Sequence, residues 1–509
     1  MSAAPIDLAI SDLATARALI ATLQDQLSKS QRENAALRHQ LDVLCRRLFG
    51  KKSEKVDPRQ LQLALEQLAN ESGPLAEPIE MDSGETPVRG HTRRAPTGRR
   101  PFPADLPRQV GVIDIADTDK VCACGHAKVP IGATTAEKLE YVPASFFVRE
   151  TTRLKYACPH CHDGVIEAPA PAQAIEKSLA GEGLLAHVIV SKYADHLPLH
   201  RLEGIFARHG VTLARSTMCG WIADVAAALA PIGDQLRREV TATDYLQTDD
   251  TPVTVLGEDG GSFKGRLWTY LDPRGRQVVF DATATHERDG PERVLASFAG
   301  YLQADAYAGY DALYRTGRVV EVGCFAHARR RFVEALETDP SAALIVALIQ
   351  RLYEVERETA DVSVEARHAA RQERSRPLLA QLDQARGHLA GHALPKSPVG
   401  DALRYLDNQW AALQRYVDDG RLSIDNNGAE RQLRAVGLGR KNWLFAGSLE
   451  GAHRAALLYS LVQSCRLVGV APFPYLRDVL LRVATHPQSQ IARLTPKGWA
   501  THFASPVTR

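Results

Sequence analysis

The chain has 509 residues, 45% of them hydrophobic and 24% charged, with a formal net charge of +2. That length exceeds what one hydrophobic core serves, so several domains of ordinary globular composition are expected. The near-neutral balance announces no nucleic-acid partner, so any basic surface must come from local clustering; with no apolar h-region at the N-terminus and no uninterrupted apolar run of bilayer length, a cytosolic protein without leader or membrane span is expected.

Residues 1–57 carry a heptad seam. Leu13, Ile20, Leu27, Asn34, Leu41 and Leu48 recur every seven residues, and Ala16, Leu23, Ser30, Leu37 and Leu44 follow three positions behind. This predicts a coiled coil that pairs protomers, the alternative being a long helix packed on its own chain. Asn34 on the seam would set register. Arg46, Arg47, Lys51, Lys52 and Lys55 give the zipper a basic edge. Residues 58–115 read as a Pro-rich, basic linker whose arginines (Arg89, Arg93, Arg94, Arg99, Arg100) touch phosphates or are merely solvated.

Four of the eight cysteines cluster in residues 116–170. Cys122-x-Cys124 and Cys158-x-x-Cys161 flank a β-prone stretch, which predicts a small zinc-binding segment with four thiolates on Zn²⁺; unmetallated thiols are the alternative. The first pair is one residue short of knuckle spacing, so His126, His160 or His162 could replace a ligand. Residues 171–240 turn helical. HLPLHRLEGIFARHGVTLARSTMCGWIADVAAAL predicts a helix, a turn at Gly210 and a second helix capped by Ser216. That spacing fits a DNA-binding helix-turn-helix or two ordinary packed helices.

From Tyr245 the pattern becomes that of strands. DYLQTDDTPVTVL, a glycine-rich turn and GRLWTYLDPRGRQVVFDAT predict three strands joined by hairpins. A helix over 291–298, a strand in YLQADAYAGY and a strand running into a helix in RVVEVGCFAHARRRFVEAL complete residues 241–334. Residues 335–420 read as helical and polar, residues 421–485 as the second part of the same domain, and 486–509 as a C-terminal tail. Three strands, a helix, a strand, a helix and a strand is the order of a ribonuclease-H-like α/β domain. The whole is thus expected to be a multidomain α+β chain with a helical insertion in its catalytic core.

Three acids take compatible positions in this frame. Asp249 is expected to close the first strand, Asp305 to lie on the fourth, and Glu430 to open a later helix within SIDNNGAERQLRAVGLGRKNWLFAG. Carboxylates in such an arrangement suit two Mg²⁺ (or Mn²⁺) ions in an in-line phosphoryl displacement. Arg431, Arg434, Arg440 and Lys441 beside Glu430 would grip the DNA backbone, or form a solvated charged face. Trp443 fits either a core position or a stack on a base, and Asp425 either a helix cap or a neighbour of the metal site.

TDDTPV, LQADAYAGYDALY, CFAHARRRF and SIDNNGAERQLRAVGLGRKNWLFAGSLEGAHRAALLYSL, with SKYADHLPLHRLEGIFARHG and GVAPFPYLRDVL on either side, closely resemble the transposases of the insertion-sequence-66 family. The resemblance runs through nearly the whole chain. It implies a bacterial DDE transposase that cleaves insertion-sequence ends and transfers strands into target DNA, with Asp249, Asp305 and Glu430 as catalytic metal ligands. It also implies DNA as partner, a homodimer or higher homo-oligomer, small accessory proteins of the same element, no membrane, and a nucleoid-associated place in the bacterial cytoplasm. The rivals are a metal-dependent nuclease without strand transfer and a catalytically silent DNA-binding derivative. Cys324 and His327 match the family's Cys-x-x-His element and are expected to brace the fifth strand. Two departures stand out: Asp250 where the family has Glu, and Cys-x-Cys where it has Cys-x-x-Cys.

Overall fold

The computed structural model describes residues 126–127, 139, 145–156 and 165–504. The heptad region, the linker and the cysteines Cys122, Cys124, Cys158 and Cys161 lie outside the described residues. The chain divides between Thr151 and Thr152, and the unit that continues from Thr152 holds the sheet. In it, two short strands, β1 (Lys155–Tyr156) and β2 (Ile166–Glu167), pair antiparallel on either side of the second cysteine pair in sequence.

Three helices follow: α1 (Glu182–Tyr193), α2 (Leu199–Arg208) and α3 (Arg215–Thr241). Gly210 turns the chain between α2 and α3 at φ 78°, a conformation that favours glycine. The expected cap at Ser216 is not formed. The helix starts two residues earlier, with Ala214 at the N-cap and no capping side chain. Burial of Met218, Trp221, Ile222 and Val225 along one face sets its course instead. By length and composition α3 could also cross a membrane, but those buried residues belong to the main hydrophobic core.

The sheet holds β3 (Tyr245–Leu256), β4 (Ser262–Asp272), β5 (Gln277–Thr283), β6 (Gly300–Gln303) and β7 (Val319–Val322) in the order β5-β4-β3-β6-β7. β3, β4 and β5 are antiparallel, and β6 and β7 run parallel to β3. The short helices α4 (Asp289–Val294) and α5 (Asp311–Tyr314) precede and follow β6, and α6 (Phe325–Leu336) leaves β7. This succession is the one that the alternating pattern predicts.

Two boundaries differ from expectation. β3 does not end at Asp249; it runs on to Leu256 through Pro252. β6 pairs with β3 only as far as Gln247, so the edge beyond has no ladder that needs a proline N–H. β6 stops at Gln303, where β7 also runs out, so Asp305 lies on the loop at the strand's carboxyl end rather than on the strand.

Helices α7 (Ala343–Glu358), α8 (Val364–Ala370), α9 (Arg376–Ala390) and α10 (Pro398–Gln414) make a block with α6. The chain then returns to the sheet as α11 (Asn427–Trp443), α12 (Leu449–Val468), α13 (Pro472–Arg482) and α14 (Pro496–His502). Neighbours on a strand point to opposite faces. Accordingly Tyr245 is buried in the cluster of the helical block, and Leu246 in the cluster built with α1–α3 and α11–α14. The outer edge of β5 is sealed by α12: Val278 N–H donates to Ser464 Oγ (3.0 Å) and Phe280 N–H to Ser460 Oγ (2.7 Å).

Arg371 fastens the block to the returning chain. Fully buried on a π-turn (Arg371–Ser375), it forks onto Glu356 at 2.8 and 2.6 Å and donates to the carbonyls of Tyr416 (2.7 Å), Asp419 (2.9 Å) and Leu422 (2.9 Å). Removing one partner of a buried ion pair strands the other. Arg371→Met is therefore expected to lower stability by about 3–5 kcal/mol, read as a lower urea midpoint by circular dichroism. Arg371→Lys, lacking the planar fork, should not restore it; an unchanged midpoint in the Met variant would remove this role.

Candidate active site

Each of the first two acids follows a glutamine by two positions, Gln247-x-Asp249 and Gln303-x-Asp305. Both glutamines are almost fully buried, and they bond to each other, Gln247 Nε2 donating to Gln303 Oε1 at 3.0 Å. Tyr245 Oη donates to the same Oε1 at 2.6 Å. The remaining donors reach the segment that enters α11. Gln247 Nε2 meets Asp425 O (2.9 Å), Gln303 Nε2 meets Ser423 O (2.8 Å) and Gly323 O (3.0 Å), and Ser423 N–H donates to Tyr245 Oη (3.1 Å). One polar network thus joins β3, β6, the end of β7 and the run-in to Glu430.

The fit at this junction is close. A Cβ on Gly428 would stand 2.1 Å from Gln247 Oε1 and 2.9 Å from a Leu271 methyl, so only glycine lets the first turn of α11 approach β3 this far. Asn426, fully buried at the N-cap, donates through Nδ2 to Thr248 O (3.3 Å). Asp425 caps rather than facing the acids: Oδ1 accepts Asn427 N–H (3.1 Å), and Oδ2 accepts Asn427 Nδ2 (2.7 Å) and Tyr353 Oη (2.8 Å). Glu430 falls in the first turn of α11, where the helix dipole favours negative charge.

The acids act on one another. Burial pushes the Asp249 carboxyl up to about 8, against its Asp250 amide hydrogen bond (2.8 Å), and the charges of Asp305 and Glu430 raise it further. Burial also raises Asp305, and the charge that His327 carries when protonated opposes the shift. Glu430 Oε1 is buried without a hydrogen-bond partner and stands 3.7 Å from His327 Nε2. Among the described residues, no three His, Cys, Asp or Glu side chains are already drawn tightly enough together to enclose a metal ion. The donor chemistry nonetheless suits one: hard carboxylate oxygens, one of them buried and unsatisfied.

Asp250 lies on the opposite face of β3 from Asp249, as strand alternation requires, although its charge still raises both Asp249 and Asp305. It accepts Arg266 at 2.9 Å and faces His286 Nε2 at 3.1 Å. His286 stacks on Tyr307 at 4.3 Å and Trp268 at 5.4 Å. Sequence reasoning missed this stack, and it undervalued His327. Cys324 and His327 do not merely brace β7. Cys324, buried at the start of α6 with its thiol pushed up to about 12 chiefly by burial, accepts Asn426 N–H at 3.5 Å. His327, one turn further on, reaches Glu430. Burial holds its imidazole below the usual range against the pull of Glu430 and Asp305. The Cys-x-x-His spacing was the available signal.

Of the cations beside Glu430, Arg431, Arg434 and Lys441 are exposed on α11. Arg440 is committed to the fold: it donates to Thr251 Oγ1 (2.8 Å) and to Pro252 O on the open edge of β3. Trp443 packs partly buried against the main core, which favours the core position over a stack on a base.

Comparison with known proteins covers most of the chain. A family model described as "Transposase IS66 family" matches residues 177–454. Others match 36–110 ("Transposase C of IS166 homeodomain"), 119–162 ("zinc-finger binding domain of transposase IS66") and 460–497 ("IS66 C-terminal element"). Three relatives from Sinorhizobium fredii (strain NBRC 101917 / NGR234) are similar over almost their full length. Uncharacterized protein y4hP is 33% identical over 93% of this chain and 90% of its own. For y4jD the figures are 34%, 91% and 94%, and for y4qI 34%, 95% and 92%. No solved structure matches.

Because Asp249 keeps its proton to about pH 8 in the fold but loses it near 3.8 in the ordinary state, it destabilises the metal-free protein progressively as pH rises between those values. Asp249→Asn, which retains an acceptor for the Asp250 amide, is expected to match the wild type near pH 4 and to exceed it by about 1–3 kcal/mol at pH 8. Urea unfolding at the two pH values checks this, and a gap that does not widen with pH would count against it. Gln303→Leu leaves Gly323 O and Ser423 O without donors, at a cost of about 2–4 kcal/mol. Hydrogen exchange over 423–430 should accelerate while that of α3 stays slow.

Proposed function

This chain belongs to the IS66 transposase family, and on that premise we propose that it is a DDE transposase acting at the ends of an insertion sequence. It cleaves DNA there and joins the freed 3′-hydroxyl to a target phosphodiester. The observation that supports the reading is the electrostatic coupling of Asp249 to both Asp305 and Glu430, whose charges raise it. The three come from segments far apart in the chain. The strand order β5-β4-β3-β6-β7, with three antiparallel strands followed by two parallel ones, supports a ribonuclease-H-like core. Residues 335–420 are then the helical insertion that separates Asp305 from Glu430.

Asp249, Asp305 and Glu430 would hold Mg²⁺ or Mn²⁺. When bound, the ions supply Lewis acidity at the attacking and leaving oxygens of the phosphoryl displacement. To serve as a ligand Asp249 would have to give up the proton that burial favours, so the site would be weak in acid and stronger toward pH 8. Glu430 brings the buried, unsatisfied Oε1. The glutamine network fixes the approach of Glu430 to the two aspartates, a matter of geometry to within about 1 Å. Arg431, Arg434 and Lys441 bind phosphates, and Arg440 locks α11 to β3.

The same reading assigns Zn²⁺ to Cys122, Cys124, Cys158 and Cys161, all within the span of the zinc-finger model. It assigns α2 and α3 to end recognition as a helix-turn-helix, and the heptads to pairing of protomers so that two ends are cut together. Accessory proteins of the same element are possible partners, and the protein would work on the bacterial nucleoid.

The test is incubation of the purified chain with its element's terminal repeats and Mg²⁺, reading cleavage and joining separately. Asp305→Asn should reduce cleavage by at least about 10³-fold and leave end binding intact. Unchanged cleavage would sink the metal-site assignment. Cleavage without joining would identify a nuclease, and binding without either a silent derivative.

A further inference from the structure

At its C-terminal end α11 makes an unusual turn. Leu444, the C-cap, has φ 63° and ψ −41°, and Phe445 N–H donates to Trp443 O at 2.7 Å. This is a γ-turn of the rare, strained hand, centred on a branched side chain where glycine would relieve the strain. The surroundings over-determine it. Leu444 N–H bonds Arg440 O (3.0 Å) on one side. On the other, Ala446 bridges the open edge of β3, donating to Thr254 O (2.8 Å) and accepting from Leu256 N–H (3.0 Å). Arg440 pins the helix to Thr251 and Pro252 of the same strand.

What this rigid turn displays is apolar. Leu444 is 65% exposed and Phe445 46%, with Leu438 at 52% six residues earlier. Burying them in the core would cost the protein nothing in charge; instead they are held outward. The same helix face carries Arg431, Arg434, Leu438 and Lys441 at spacings of three, four and three residues, all exposed. A line of cations thus runs from Glu430 to an exposed apolar tip.

We propose that Leu444 and Phe445 form a wedge that enters the base stack of bound DNA, while Arg431, Arg434 and Lys441 follow its backbone. The inference rests on the transposase reading. The cations select a polyanion over a second copy of the chain, and an apolar side chain beside a phosphate grip has bases as its natural contact. At 1.5 Å per residue the tip stands about 21 Å along α11 from Glu430. With 3.4 Å per nucleotide, the disturbed step lies about six nucleotides from the scissile phosphate. Opening the stack there would help the strand bend into the acids.

The experiment uses the full chain and terminal-repeat duplexes carrying 2-aminopurine at single positions about four to eight nucleotides from the cleaved phosphate. Wild type should raise the fluorescence several-fold at one step. Leu444→Gly with Phe445→Ser should abolish that rise, with duplex affinity within about threefold. It should also slow cleavage about 10–100-fold on intact duplex but not on one with an abasic site at that step. Leu444→Gly alone relaxes the positive φ and should keep or raise the melting temperature, which separates loss of the wedge from loss of the fold. A rise that persists in the double variant, or no rise at any position while wild type still cuts, overturns the wedge alone. A change of oligomeric state in the double variant would make the tip a protein interface and also overturn it. Wild type that neither binds nor cuts the ends overturns the transposase reading with it.

Discussion

Gln303 donates to the carbonyls of Ser423 and Gly323 while its own oxygen takes Gln247 and Tyr245. Everything about the acidic site depends on that exchange. Asp249 and Asp305 are placed by neighbouring parallel strands, so their relation is set by the sheet. Glu430 arrives only after the helical block, across a connection too long to position anything by itself. The two glutamines read the backbone of the returning segment directly, and Gly428 removes the one Cβ that would keep α11 at a distance. Arg371 does the same work one step earlier, on Tyr416, Asp419 and Leu422. The long excursion is thus fastened twice before it delivers its carboxylate.

Such fastening is needed because the site opposes its own assembly. Three acids gathered in a partly buried place repel one another, and burial raises Asp249 well out of the carboxylate range. A buried, unsatisfied Glu430 oxygen adds to the cost. Neutral hydrogen bonds in the glutamine network and apolar packing on both faces of the sheet carry that cost. The arrangement explains why the network uses amides and a phenol rather than further charges: it stays the same whether the acids are protonated or not.

The succession of strands and helices in the catalytic region was legible because each strand of the sheet alternates apolar and polar residues or is bounded by glycine and proline. The end of β3 reads two ways, as DYLQTDDTPVTVL running to Leu256 and as a strand closed by Asp249, and the longer reading is the one observed. The acids could be named, but their supports were hidden in plain residues. The repeated Gln-x-Asp is visible in retrospect, because two residues apart on a strand means one shared face. Arg440 looked like its neighbours on α11; only the free carbonyl of Pro252 turns it inward. Leu444 carries no mark of a left-handed turn, being neither glycine nor asparagine. His327 was read as scaffolding because spacing alone does not tell which helix lies opposite. The zipper and zinc readings fall on residues outside those described, and the family models alone speak for them.

The seal on β5 has a consequence in time. Ser460 and Ser464 are separated from Phe280 and Val278 by 180 and 186 residues. A ribosome adding about 5–20 residues per second needs about 10–40 s to make that stretch. Throughout that interval the nascent sheet has an open border carrying Val278, Val279 and Phe280, the kind that recruits other strands. The helical block emerges during the same interval, while the strand border waits for α12. The order of synthesis, and not only the stability of the finished fold, thus bears on how the sheet is completed.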